Sequence, residues 1–420
     1  MRLRDTVIAI TALVSLGAKA QNEDKETEYR RSSIYSVMIN HTDQKFAHEI
    51  KEAFLQIPVP DKFNDHNLSV KVLNKNTKLS KANSSKENTE VSEFLTDNKV
   101  ASRLVGRWFN RDSYTGVCNM DLVKERGLYN ATEFDKQLAM RSARGMAMLQ
   151  DAGEELIGNT FVLVNDIRYV DKNQKAKIFG NIIKGIGTFA GAAANISNIS
   201  SGGTYSNSTS NIYNTLGDMV ETIKGFSVKI NTFLYKLEWT DEQAAIFYKE
   251  QYATTPDNTK RENFDKARGN YKLRYVGKVE SKGGTTSFLG INEEEPVLMV
   301  RKACQRAIDE NVIDLQRSYE EFRIKTPLVT VEPLTAYIGK KEGVAPGIKY
   351  EVLEVVEMEN GKRKYNRVGV ITPVSNLIWD NRFMAEEEGA VGATLGCTTF
   401  RAVSGKDFSR GMLIREMSKK

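Results

Sequence analysis

The scarcest reactive groups are three histidines, His41, His48 and His66, all in the first quarter of a 420-residue chain. A zinc centre or a histidine-based acid–base centre needs such residues to converge with carboxylates or further imidazoles. None stands in His-x-x-x-His or His-Glu-x-x-His spacing. A Ser-His-Asp triad would have to recruit one of the three, and no Gly-x-Ser-x-Gly elbow supplies its nucleophile. All three therefore read as ordinary surface histidines. Lys184-Gly185-Ile186-Gly187 has neither the phosphate-loop spacing nor the Gly-x-Gly-x-x-Gly pattern, which excludes the common nucleotide cradles. The acid runs Glu154-Glu155, Glu293-Glu294-Glu295 and Glu386-Glu387-Glu388 read as solvated turns, because a glycosidase pair must face a cleft. The expectation is a non-enzyme with no catalytic residue, no metal ligand and no cofactor.

Three cysteines, Cys118, Cys304 and Cys397, are too widely spaced and too few to define a disulfide framework. One bridge fits the count, with the pair left open. Cys304 falls on the apolar face of a helical pattern, where a thiol acts as a small hydrophobe.

The elements available to position any site alternate between helical and strand periods. Ile34 to Ile39 reads as a strand. Phe46, Ile50, Ala53 and Phe54 stand at helical spacing, and Ser69 to Leu73 alternates like a strand. Asn74 to Asn88 is Lys/Asn/Ser-rich and reads as a loop or linker. Val100, Leu104, Val105 and Trp108 mark one helix face, and Asp121 to Gly127 a short helix stopped by its glycine. Thr132 to Leu149 is an amphipathic helix with an acidic capping box, Thr132 with Asp135. Thr160 to Asp171 and Val228 to Trp239 are strong strands, expected as two strands of one sheet. Residues 255–285 are polar and glycine-containing. Val297 to Phe322 runs at three- and four-residue steps as a helix ending before Pro327. Beyond Pro327 the period becomes two, with Ile348 to Val356 and Tyr365 to Ile371 joined through the hairpin signal Asn360-Gly361. The fold class expected is α+β, an α/β layer domain with a long Gly/Ala/Ser-rich insert, followed by a small all-β barrel or sandwich. The expected boundaries are a signal peptide at 1–20, an N-terminal α+β segment with polar linker at 21–92, the α/β domain at 93–326 with its insert at 176–227, and the β domain at 327–420.

The insert differs in kind from its surroundings. Ala176 to Ile199 is Gly/Ala/Ile-rich, and Ser200 to Ser210 is Ser/Gly/Asn/Thr-rich. Small residues at close spacing let helices pack tightly, as in membrane spans. Lys175, Lys177 and Lys184 interrupt the stretch, and its apolar run is short for a crossing. Three readings compete: a surface loop with a docked helix, a segment that meets a membrane or forms a pore in an oligomer, and a partner-binding loop. In the second and third the contact residues would be Ile182, Ile183, Ile186, Phe189, Tyr205 and Tyr213.

The N-terminus has the features of an export signal. Arg2 and Arg4 precede the ten-residue apolar run Val7 to Leu16, and Ala18-Lys19-Ala20 presents small residues where a signal peptidase cuts. Cleavage after Ala20 is expected, so the mature chain would begin at Gln21 and, lacking a cysteine there, without a lipid anchor. Formal net charge is +6, of which Arg2, Arg4 and Lys19 against Asp5 hold +2, leaving about +4. Both signs interleave along the chain, unlike the concentrated positive face of a nucleic-acid binder. The basic cluster Gly361 to Tyr365 reads as a hairpin tip, and no nucleic-acid partner is expected.

Residues 100–171 together with 228–239 resemble an envelope-domain group that includes the curli-secretion lipoprotein, the TolB N-terminal domain and the flagellar T-ring protein FlgT. The shared features are Asp121-Leu122-Val123-Lys124-Glu125-Arg126-Gly127, a helix into Asp151-Ala152-Gly153, the strand Phe161 to Asp166, an insert, and the strand Val228 to Glu238. Ile338 to Gly347 is similar to the glycine-turn entry of the FlgT C-terminal barrel. The resemblance implies an exported periplasmic or outer-membrane-associated protein, with other envelope proteins or copies of itself as partners. In the curli protein the insert region carries pore-forming hairpins, which implies the alternative of an oligomeric outer-membrane channel or secretion component. The first expectation is a non-catalytic envelope protein acting in assembly or transport through protein contacts. A hydrolase with an unrecognised site is the remaining alternative.

Overall fold

A computed structural model describes residues 32–75, 84–130, 153–170, 226–284, 296–357 and 363–417. The first layer is a mixed six-stranded sheet. At its centre β1 (Ser33–His41) lies parallel to β4 (Thr160–Tyr169), in register from Ser33 opposite Thr160 to Ile39 opposite Asp166. The short strands β2 (Asn64–Asp65) and β3 (Val72–Lys75) pair in parallel with the two ends of β1. On the other side β5 (Ser227–Leu237) runs antiparallel to β4, and β6 (Leu273–Gly284) antiparallel to β5. The expected pairing of the two strong strands across the insert is therefore present.

Strand alternation sorts the side chains into two cores. Tyr35, Val37, Val162, Val164, Phe233 and Tyr235 face helices α2 (Ser84–Asp97), α3 (Val100–Trp108), α4 (Asp121–Asn130), α5 (Asp241–Glu250) and α6 (Asn258–Ala267). Ile34, Met38, Phe161, Leu163, Ile230 and Leu234 face α1 (Ala47–Leu55) and the 23-residue α7 (Pro296–Ser318). Both faces are covered by helices, which explains why β4 reads as a nearly continuous apolar run. Cys304 lies fully buried in the second core. All three cysteines are free, so the bridge left open by the sequence is absent.

A buried polar chain crosses that second core. Asn311 on α7 donates to the Thr232 hydroxyl at 2.8 Å and to Ile230 O at 3.1 Å. Thr232 donates to Asn165 Oδ1 at 2.8 Å, and Asn165 Nδ2 donates to Ser36 Oγ and Val37 O. The chain links α7, β5, β4 and β1, and its three inner members, Asn311, Thr232 and Asn165, are removed from water.

Several expectations need correction. The linker expected over residues 74–88 gives way to α2 at Ser84, because Lys86, Glu87 and Glu90 favour a helix that buries Val91 and Leu95. Helix α4 continues through Gly127 to Asn130, held by the burial of Val123 and Arg126. Residues 255–285 contain α6 and β6: Asp257 caps α6 through Lys260 N, and β6 is a half-wet edge strand whose few apolar residues hide its period. The helix expected at Thr132 to Leu149 lies outside the described residues.

The second layer is a seven-stranded antiparallel sheet in the order β7 (Thr326–Pro327), β13 (Leu413–Glu416), β10 (Tyr350–Glu357), β11 (Arg363–Pro373), β12 (Thr398–Ser404), β9 (Leu334–Ala336), β8 (Thr330–Val331). It curls around its own core of Leu334, Val352, Ile371, Phe400 and Ile414. Strands β10 and β11 pair as the Asn-Gly hairpin signal implied. The glycine-rich entry folds as a turn against α7: Gly343, at φ +82°, leaves a Cβ only 2.8 Å from Ile313.

Close approach also governs β6. A Cβ on Gly283 would stand 2.1 Å from Ala303 O on α7, whereas nothing lies within 4 Å of one on Gly269. Gly283→Ala is expected to destabilise the protein by about 2 kcal/mol, and Gly269→Ala by under ~0.5 kcal/mol, read from urea denaturation midpoints.

Candidate functional site

The insert leaves the sheet at a single place. Tyr169 at the end of β4 pairs with Val228 near the start of β5, and Val170 N donates to Ser227 O at 2.8 Å. The ends of the intervening segment are thus held roughly 5 Å apart, the spacing of neighbouring strands. Phe226 is fully buried and Ser227 opens β5, so the segment ends at residue 225 rather than 227. Ile182, Ile183, Ile186, Phe189, Tyr205 and Tyr213 lie outside the described residues.

Three devices brace this root. The first is Gln44, in the turn after β1. β1 accompanies β4 only as far as Asp166, and beyond that point the Gln44 side chain takes over the ladder. Its Nε2 donates to Ile167 O at 3.1 Å and its Oε1 accepts from Tyr169 N at 2.9 Å. A side-chain amide therefore satisfies backbone groups that would otherwise lack a partner.

The second device is an aromatic cluster. Phe46, Tyr169 and Phe226 meet with ring centroids 5.0 to 5.8 Å apart, the Phe46 contacts being edge-on. Phe46 has φ +61°, a left-handed conformation costing about 1 kcal/mol for a residue with a Cβ. Its packing offsets that cost and starts α1 in the required direction.

The third device is ionic. Asp166 is wholly buried and lies between His41, 2.5 Å away, and Arg168, whose Nε and Nη2 donate to Oδ2 at 3.0 and 2.9 Å. Burial opposes its ionisation, but the hydrogen bonds and charges of His41 and Arg168 outweigh it and hold the carboxyl below its usual range. These groups gather at the C-terminal ends of the parallel strands β1 and β4, where open α/β sheets place their ligands. A His–Asp contact is also the orienting half of a catalytic triad. Among the described residues, no hydroxyl or thiol hydrogen-bonds to His41, and the same carboxylate carries Arg168.

The reading of all three histidines as surface residues holds only for His48; His41 and His66 are buried. His66 Nε2 faces Leu104 O at 3.0 Å, its Nδ1 faces Arg126 Nη1 at 2.6 Å, and its ring stacks on Trp108. Burial first, then Arg126, lowers its pKa well below the ordinary value, so it is neutral and accepts from Arg126. It ties α4 to the opposite end of β1. Glu388, read as part of a solvated run, is instead paired with Lys302 and Arg306 of α7, while Glu386 and Glu387 are exposed.

That last contact belongs to the joint between the two layers. Arg306 also donates to Phe383 O, Arg317 pairs with Glu416 at 2.9 Å, and Lys341 pairs with Asp61 at 3.0 Å. Asp309 is buried beneath this joint. Desolvation dominates and raises its pKa to about 7. Among the described residues, no group of three potential ligands gathers to hold a metal, and no helix is long and apolar enough to cross a membrane.

No protein-family model matches the chain, and no curated protein matches it.

Two substitutions check the electrostatics. The stabilisation from Asp166 is present above the ordinary aspartate pKa and is lost as pH falls through the lowered folded value. Asp166→Asn is therefore expected to cost about 2–3 kcal/mol at pH 7, and progressively less as pH falls below the ordinary aspartate range, by urea denaturation. Asp309 has the opposite sign. Its contribution is full below about pH 4 and is lost as pH rises through about 7. Asp309→Asn should match the parent at pH 4 and exceed it by about 1–3 kcal/mol at pH 8, in thermal melts across that range.

Proposed function

We propose that the chain is an exported envelope protein that acts in assembly or transport through protein contacts, with no catalytic step of its own. In this reading the α/β layers are a rigid mount, the insert is the contact element, and the C-terminal sheet is a small barrel-like module. The observation that carries it is the root of the insert, where adjacent strand ends are braced by Gln44, by the Phe46–Tyr169–Phe226 cluster and by His41–Asp166–Arg168. Closing a long loop across neighbouring strands costs little more than closing a short one. The segment can therefore engage a partner while the sheet beneath it stays unchanged. Ile182, Ile183, Ile186, Phe189, Tyr205 and Tyr213 are its proposed contact residues, and other envelope proteins or further copies of the chain its proposed partners.

One observation favours a second reading. The His41–Asp166 contact is the kind a hydrolase uses to orient its base. Arg168 on the same carboxylate favours a latch over that role.

The test is fractionation of cells expressing the full chain or a variant with residues 172–224 replaced by an Asn-Gly turn. The intact protein is expected to sediment with envelope membranes and to be released by alkaline carbonate. The variant should melt within about 3 °C of the parent and fail to sediment. A variant that still sediments overturns the insert as contact element. An intact protein that resists carbonate, with a variant that does not, selects the membrane-channel alternative.

A further inference from the structure

A cavity of about 320 Å³ lies between the α2–α3 connection and the turn that joins α6 to β6. Leu95, Val100 and Tyr235 close its floor and are buried. Three of its lining residues are cations, Lys99, Arg268 and Lys272, and none carries a carboxylate. Lys99 and Lys272 are exposed and Arg268 is partly exposed, so all three are within reach of a solute.

The three charges are not equally free. Arg268 donates through Nε and Nη2 to Asp265 Oδ1 at 3.1 and 2.8 Å, which leaves Nη1 for a further acceptor. Lys99 and Lys272 have no ion pair or side-chain hydrogen bond among the described residues. Two unmatched ammonium groups therefore border a cleft with an apolar floor, and such a cleft focuses their field inward. The cavity where α7 meets the C-terminal sheet differs, since its Arg317, Arg323 and Arg415 each pair with a glutamate. Lys99 is also a costly choice for its position. Its φ is +52°, a conformation costing about 1 kcal/mol for a residue with a Cβ, and its side chain caps no helix. Nothing in the fold calls for a lysine there.

We propose that this cavity binds a small soluble phosphate monoester, its dianionic head held between Lys99 and Lys272 with Nη1 of Arg268 as a further donor. The charge follows from the two unmatched ammonium groups, which a dianion balances while the Arg268–Asp265 pair stays intact. The size follows from volume: a cavity of ~150 Å³ takes one benzene, so about twice that takes one ring with its phosphate. No large exposed hydrophobic residue lines the cavity, which favours a soluble ester over a lipid head group in a bilayer. The site is independent of the insert and of the function proposed for it.

Glucose 6-phosphate and glucose are the probes, titrated into the full chain by calorimetry at about 1 mM. The parent is expected to bind the ester and not the free sugar. Lys99→Asn and Lys272→Asn should each weaken the ester about five-fold. Asparagine tolerates the left-handed backbone, so Lys99→Asn is expected to melt no lower than the parent. Gly269→Glu, at a position where an added Cβ meets nothing within 4 Å, sets a carboxylate at the rim and should abolish binding with the fold intact. Lys406→Asn, an exposed lysine of the C-terminal layer, should leave affinity unchanged. A parent that binds no glucose 6-phosphate overturns the proposal. So does a Lys406→Asn variant weakened as much as Lys99→Asn, because the attraction would then be one of overall charge. Sedimentation with phosphatidic acid vesicles, without binding of glucose 6-phosphate, overturns it in favour of a membrane surface.

Discussion

The chain of side-chain hydrogen bonds from Asn311 through Thr232 and Asn165 to Ser36 is the constraint around which the larger layer is organised. Each link lies between elements distant in sequence, and Asn165, Thr232 and Asn311 are sealed from water. Apolar side chains alone would tolerate a sheet in which a strand slipped by two residues, because alternation would survive. The polar chain does not tolerate it, since a slip leaves buried amides and hydroxyls unpaired in a medium where that is costly. It therefore holds β1, β4, β5 and α7 in one mutual register. The insert root, which needs Tyr169 opposite Val228, and the joint, which needs α7 at one height, both follow from it.

The charged features lie at the root of the insert and at the joint between the layers. At one, Asp166 is ionised because His41 and Arg168 supply more than burial removes. At the joint, Asp309 is held near neutrality because the surrounding charges do not offset its desolvation. Two buried aspartates in one protein thus carry opposite electrostatic signs. The difference is geometric: two donors touch the first carboxylate, while Oδ2 of the second has no hydrogen-bond partner.

Most of the layered fold was legible in the residues. The runs Ile34 to Ile39, Thr160 to Tyr169 and Val228 to Leu237 have the strand period, and Val297 to Leu315 the helical one, because those elements bury a full face. Legibility failed where burial is partial. β6 exposes much of its length and uses Gly277 and Gly283 to admit Tyr319 and α7, so its composition resembles a loop. Helix α5, opened by the reciprocal capping box of Thr240 and Gln243, went unread for the same reason, since Phe247 is its one buried residue. The root of the insert was hidden for another reason. His41 and Asp166 are 125 residues apart and meet only because β1 and β4 run in parallel, and no local spacing encodes that.

Helix α7 gives the molecule a mechanical character. Its inner face closes the second core through Val300, Cys304, Ile308 and Leu315, while Lys302 and Arg306 hold Glu388 in the connection between β11 and β12, and Arg317, three turns further on, holds Glu416 of β13. A load pulling the two layers apart along the helix would act on these grips in parallel, in shear, rather than opening them one by one. Rupture would require several ion pairs and the burial of Ile313 to yield together. The helix is therefore a stiff strut between the layers, and tension applied to the C-terminal sheet would reach the strands that carry the insert.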